Sequence, residues 1–434
     1  MPSPALRPHA HAARIVLDRE HVRRALRPTP ADSTLAAAVR CALAVGLALT
    51  VVALTGHDEL AGYASLAALA SLYGRWEPYR RRGGLLAVVG ACFVGAIVVA
   101  TLAAALHAHA VVTVLLAALV AAGTHVLCGA LRTGPPGATI VVFGVGAGLA
   151  GSPTLADLGP RGLAAVVGAA VAWLVCCSGV LVHPAGPARV AVRRASDTTD
   201  RALATGAPAS RERALALVER ARDVLADDAS RPRTRAATAT LVTAFEDLEV
   251  ALGGTPRALP SRRTLRSTLR TAYVPRRDTT RVLVAGLTAG GVAALGGSGH
   301  SPWAVMGSTA ALQGATAGHV VTRGLQRAAG TALGALVAWP LLAAHLSLAA
   351  TGALVVALQL VTEVLVMRHY GLAMLAITPM ALLMTSLGAP GDATALALDR
   401  VACTALGALV AVLALVALPH HDPDRATAPL RRSA

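Results

Sequence analysis

The chain has 434 residues, 55% of them hydrophobic and only 14% charged, against about 25% charged in soluble globular proteins. Its net charge of +16 comes from 39 basic residues, every one an arginine. They are scattered over many segments instead of gathered on one patch, which argues against a nucleic-acid binder and for a protein whose solvent is lipid.

In chain order, residues 1–33 are polar, carry six arginines and lack the short apolar core of a secretory signal; a cytoplasmic arm is expected. Six apolar runs follow, at about 35–55, 60–74, 85–106, 110–131, 136–150 and 162–182. Each is long enough to cross, or nearly cross, a bilayer as a helix. Residues 184–280 differ in kind, with 18 arginines and 11 acids. Stretches such as "SRERALALVERARDVLADDA" space apolar residues at a helical period with charges between them, so a soluble helical linker domain is expected there. Six further apolar runs lie at about 281–296, 302–318, 328–346, 348–367, 370–387 and 400–418. The fold class expected is an all-α polytopic membrane protein of about twelve transmembrane helices. Its parts are a first six-helix unit (34–183), the cytoplasmic linker domain (184–280), a second six-helix unit (281–419) and a cytoplasmic tail (420–434).

Charge sets the expected orientation. With a cytoplasmic N-terminus and alternating sides, the arm, Arg75 and Arg80–Arg82, Arg132, the linker domain, Arg323, Arg327, Arg368 and the tail all fall inside. The outer loops "GHDEL", "HAHA", "GGSGHS" and "AHLS" carry no arginine. Positive loops stay on the cytoplasmic side, so both termini are expected inside a plasma (inner) membrane. The segment "RWEPYRRR" then reads as a cytoplasmic loop, its arginines in water or against anionic headgroups. Arg161 and Arg400 are the exceptions on the outside.

The two halves align at a nearly constant offset. At 240 residues Tyr63 meets Trp303, Leu72 meets Leu312, Gly74 meets Gly314 and Gly90 meets Gly330; at 239, Thr139 meets Thr378, Arg161 meets Arg400 and Gly168 meets Gly407; at 241, Arg40 meets Arg281. Six spans is an even number, so the units would enter the membrane the same way round. Such a parallel repeat is typical of transporters.

The second half carries "PWAVMGSTAALQGATAGHVVTRGLQRAAGTALGALV", with Trp303 and then Arg327, Gly330, Thr331 and Gly334. "YGLAMLAITPMALLM" follows, with Tyr370 and Thr378, and then Arg400 with Gly407. These stretches resemble the fusaric-acid-resistance, or aromatic acid exporter, family. The first half departs from the pattern, with Ala87 opposite Arg327 and Ala91 opposite Thr331. The resemblance implies an inner-membrane exporter of small organic anions, often aromatic carboxylates, and not an enzyme. Alternatives are an organic-anion channel of the same architecture and a non-transporting membrane scaffold. Partners are then the lipid bilayer and the organic anion, with no nucleic acid; a homo-oligomer is left open.

Glu363 is the only acid well inside an expected span, and an ionisable group at that depth is a functional candidate by default. It is taken as a proton carrier or, equally, as an ion-pair partner of an arginine such as Arg281 or Arg327. Gln359 shares its helix face, and His125 is a further, weaker coupling candidate. Anion handling is assigned to Arg161 and Arg400 at the outer mouth, with Asp399 as a partial partner of Arg400, and to Arg40, Arg281 and Arg327. Snorkelling to headgroups is the plainer account of Arg40 and Arg281. Pore or pocket candidates are Tyr63, Trp303, Gln313, Tyr370 and Thr378. The six cysteines lie in apolar runs without metal-ligand spacing, and no P-loop is present, so neither a metal nor another cofactor is expected.

Overall fold

In a computed structural model, residues 23, 25–27, 35–313, 316–389 and 391–418 are described. Nearly all of the expected N-terminal arm, the tail beyond Leu418 and Gly314 lie outside them. The described residues form helices and turns. In the first half these are α1 (Leu35–Ala53), α2 (Ala61–Ala68), α3 (Tyr79–Ala105), α4 (Ala110–Leu131), α5 (Thr139–Leu149) and α6 (Leu158–Cys177). The central region holds α7 (Gly186–Thr205), α8 (Pro208–Ala229), α9 (Pro232–Ala251) and α10 (Leu265–Arg270). The second half holds α11 (Arg276–Leu295), α12 (Ser301–Ala311), α13 (Ala317–Ala343), α14 (Leu348–Leu365), α15 (Tyr370–Gly388) and α16 (Ala393–Ala417).

The helices are inside-out by the standards of a water-soluble protein. α1 exposes Leu35, Val39, Leu43, Leu47 and Val51, one every fourth residue, and buries Ala37, Ala38, Cys41, Ala44, Val45 and Ala48. Small residues therefore face neighbouring helices while large apolar ones face outward. That is the arrangement lipid favours, since lipid tails do not expel leucine and close helix approach rewards small side chains. α4 and α16 repeat it with Val111, Leu115 and Leu119, and with Leu398, Leu409 and Leu413. Among the described residues, seven helices are long and apolar enough to cross a membrane: α1, α3, α4, the α6 segment Leu155–Val182, α14, α15 and α16. The protein is a multi-pass, all-helical membrane protein.

The remaining apolar helices depart from a simple span for readable reasons. α2 has eight residues and continues as a 3₁₀ turn to Leu72. α5 and α12 have eleven each, about 16 Å at 1.5 Å per residue. α11 opens on "RRDTTR", and the 27-residue α13 carries Arg323 and Arg327 in its first half.

Packing runs in matched pairs. α2 lies on α6 as α12 lies on α16, and α3 packs on α5 and α6 as α13 packs on α15 and α16. The halves also exchange partners: α1 packs on α14 of the second half, and α11 on α4 of the first. Two glycines mark equivalent close approaches. A Cβ on Gly168 would stand under 3 Å from the carbonyl oxygen of Ala64, and one on Gly407 under 3 Å from that of Ala304.

The central region has its own core. Ala214, Val218, Ala221, Val224 and Leu225 on α8 close against Ala188 and Val192 on α7 and Phe245 and Leu248 on α9. Proline stands in the first turn of all three helices, where its missing N–H has no intrahelical partner to lose.

Candidate functional site

A cavity of about 360 Å³ opens among α5, α12, α13, α14, α15 and α16, closed on one side by the loop between α2 and α3. Its size falls in the range of about 300–1,000 Å³ usual for small-molecule sites. Much of the wall is apolar, including Leu69, Ile140, Phe143, Met306, Ile377 and Met380. Glu363, Gln359, Arg327, Arg400, Tyr370 and Gln313 all line it. The structure thus gathers six of the sequence candidates around one space.

Several polar groups on the residues of that wall have no partner among the described residues. Arg327 is 3% exposed and Arg400 2%. The Nε of Arg327 and the Nε and Nη1 of Arg400 lack hydrogen-bond partners among the described residues, as do both amide atoms of Gln359 and the hydroxyl of Thr362. Buried polar groups are normally satisfied, so an unsatisfied set around one cavity marks a place shaped for a polar ligand. Arg327 donates Nη1 to the Tyr370 hydroxyl at 2.7 Å. Arg400 stands between two rings, its guanidinium carbon 5.7 Å from the centroid of Phe143 and 5.2 Å from that of Trp303. Arg323 donates to the Ala310 carbonyl at 2.9 Å, lies 3.4 Å from the Gln313 amide oxygen, and sits 4.1 Å over the Tyr370 ring.

Glu363 is buried and ion-paired with Arg75. This is the ion-pair alternative, with Arg75 in place of the arginines offered as examples, Arg281 and Arg327. Arg281 turns to Asp278, at 3.1 Å, and to the Leu418 carbonyl. Arg75 belongs to "RWEPYRRR", whose arginines were expected in water or against anionic headgroups. Arg82 of the same segment is 4% exposed. It donates to the carbonyls of Gly74 at 3.0 Å, Glu77 at 2.9 Å, Arg75 at 3.3 Å and Cys176 at 3.0 Å. That guanidinium folds the loop around itself and aims Arg75 into the cavity. The loop also reaches the central helices: Glu77 meets Arg220 of α8 at 3.4 Å, and Arg194 of α7 lies 3.7 Å over the Trp76 ring.

Arg400, expected at the outer mouth, lines this cavity. It is buried in the cavity wall, and its neighbour Asp399 binds His300 at 2.7 Å and Ser298 at 2.7 Å. Arg161 is separate, near the carbonyls of Gly148 and Ala150 at 3.3 Å each and 4.8 Å over the Tyr63 ring. Tyr63 is buried away from the cavity, as is Thr378, packed where Gly334 approaches α15. His125 lines a different hollow with Asp278, Arg281 and Gln313. Arg40 is half-buried on α1. Trp303 stacks on His300, centroids 4.1 Å apart. It lines a third hollow of about 200 Å³ with Leu149, Pro302 and His107, so its ring stands between that hollow and Arg400. Sequence reasoning missed Arg75, Arg323 and Phe143 as wall residues; none carries a local signal that separates it from its neighbours.

Residues 286–414 match the family described as fusaric acid resistance protein-like, and this stretch is a domain of that kind. It runs from within α11 into α16 and takes in Trp303, Arg323, Arg327, Gln359, Glu363, Tyr370 and Arg400, while Arg75 and Phe143 lie outside it. No curated protein and no solved structure matches the chain.

Proposed function

We propose, from the premise of a membrane protein with a fusaric acid resistance protein-like domain, that the chain exports small organic anions, with aromatic carboxylates the favoured class. One observation carries this reading: Arg327 and Arg400, buried and without a carboxylate partner among the described residues, face a largely apolar cavity of ligand size. Positive charge meets the acid group, and Phe143, Met306 and Met380 meet the hydrocarbon body.

The architecture behind it is two parallel six-helix units with the substrate bound between them. Support comes from the matched packing pairs, the exchange of α1 and α11 between halves, and the equivalent close approaches of Gly168 and Gly407. α13, too polar at its start to count as a span, still turns Leu325, Leu333, Leu336 and Trp339 outward, as a lipid-facing helix does. The arginine bias then puts both termini and α7–α10 in the cytoplasm of an inner membrane. Trp303, between the anion cavity and the hollow beyond it, is the layer that alternating access would have to move.

Glu363 is the proton carrier in this scheme. Protonation removes its charge and releases Arg75. Inverted membrane vesicles loaded with a pH gradient test it with labelled benzoate. Wild-type vesicles should accumulate benzoate in proportion to the gradient. Glu363→Gln, alone and with Arg75→Gln to avoid an orphaned cation, should be inserted normally and lose that dependence. Gradient-dependent uptake by either variant would reject the coupling role, and benzoate currents without proton flux would make the protein a channel.

A further inference from the structure

The charge in the cavity is not balanced by the described residues. Of the buried ionisable groups in its wall, Glu363 is engaged by Arg75. Arg327 is met by a neutral phenol, Arg400 by two ring faces, and half-buried Arg323 by a carbonyl, an amide and a ring. None of these three has a carboxylate within salt-bridge distance among the described residues. Arg327 and Arg400 also repel one another. Like charges held together away from water are costly unless counter-charges arrive with hydrogen bonds. A single carboxylate offers one negative charge and leaves the second buried guanidinium exposed to the same cost.

We propose that the cavity selects an organic dianion, a compact apolar body bearing two acidic groups, one received by Arg400 and the other by Arg327. The inference rests on the reading of this cavity as an organic-anion site and narrows it. The Nε and Nη1 of Arg400 lack partners among the described residues and stand on different edges of its guanidinium, each a donor for a carboxylate oxygen, and the Nε of Arg327 is a donor for the second acid group. Gln359 and Thr362 supply neutral hydrogen bonds beside them. Phe143 and Met306 hold the body. Arg323, fixed by Ala310 and Gln313, adds positive potential without a direct bond.

The test uses the full chain in detergent at pH 8, where aromatic acids are fully ionised, and calorimetric titration with three probes. Isophthalate carries two carboxylates, its monomethyl ester keeps the body and loses one charge, and benzoate has one carboxylate on a bare ring. Isophthalate should bind about tenfold or more tighter than the other two, the effect of one added charge-assisted contact. Arg327→Gln should bring isophthalate to within about threefold of its ester, a difference small on the scale of one hydrogen bond. The wild-type comparison of acid with half-ester needs no variant and stands even if that substitution fails to fold. Equal, measurable affinity for isophthalate and its half-ester would overturn the dianion inference and leave the organic-anion site intact. Binding of none of the three, with no uptake into vesicles, would overturn the site itself.

Discussion

The guanidinium of Arg75, in the loop between α2 and α3, is ion-paired with the carboxylate of Glu363 on α14, 288 residues further along the chain. Glu363 is 3% exposed and Arg75 13%, so each removes most of the cost of burying the other. The pair also ties a loop of the first half to a helix of the second at the edge of the anion cavity.

Breaking that pair from one side should therefore cost more than removing it whole. Glu363→Gln or Arg75→Gln alone should destabilise the protein by about 3–5 kcal/mol, the usual range for a buried pair reduced to one charge. The double variant should lose clearly less than the sum of the two. Thermal unfolding of the four proteins in one detergent gives the double-mutant cycle, and strict additivity would show that the two residues are not coupled.

Arg82 should behave as a positioning residue for Arg75. Its four carbonyl acceptors need the planar fork of a guanidinium, which an ammonium does not reproduce. Arg82→Lys should loosen the loop and lower vesicle uptake nearly as far as Arg82→Gln does, with a stability loss of at least about 3 kcal/mol from several charge-assisted bonds. Faster hydrogen exchange at residues 74–77 in both variants is the accompanying signature; wild-type exchange there in Arg82→Lys would remove the positioning role.

The glycine contacts predict a sharp contrast between sites. Gly407→Ala sets a methyl against the Ala304 carbonyl, where only backbone can give way, and should cost about 1–3 kcal/mol. Gly168→Ala should do the same against Ala64. Gly95→Ala meets no atom within 4 Å and should be neutral or stabilise by up to about 1 kcal/mol. Melting temperatures of the three variants settle the comparison.

Asp228, at the end of α8 and fully buried, has its acid group pushed up to about 6, chiefly by burial and then by the neighbouring Asp227. Neither carboxylate oxygen has a hydrogen-bond partner among the described side chains. A raised folded-state value means that the folded protein holds the proton more tightly than the unfolded chain. The resulting stability is full below about pH 4 and is lost as pH rises through about 6, on the order of 3 kcal/mol in all. Asp228→Asn should flatten that part of the stability profile and raise the melting temperature at pH 7. A wild-type profile unchanged in slope by the substitution would mean that Asp228 does not titrate in this window.

What the sequence determined by itself was the kind of solvent and the kind of element. Long apolar runs, arginine-free loops between arginine-bearing ones and a charged central stretch with a helical period are local properties, and the helices follow them closely: α3, α4, α14 and α15 lie almost where the runs were drawn. Glu363 could be singled out because depth in an apolar run is also local. Tertiary structure alone decided which charges meet. Arg75, Arg82 and Arg80 are near neighbours in one basic segment, yet one enters the cavity, one is walled in by carbonyls and one is exposed. That Arg400 lines the cavity was not legible, because position in a loop count says nothing about which side of a helix faces the partner half. The physical reason is that hydropathy is a sum over neighbours in sequence. The energy of a buried charge depends on neighbours in space, and here those come from the opposite half of the chain.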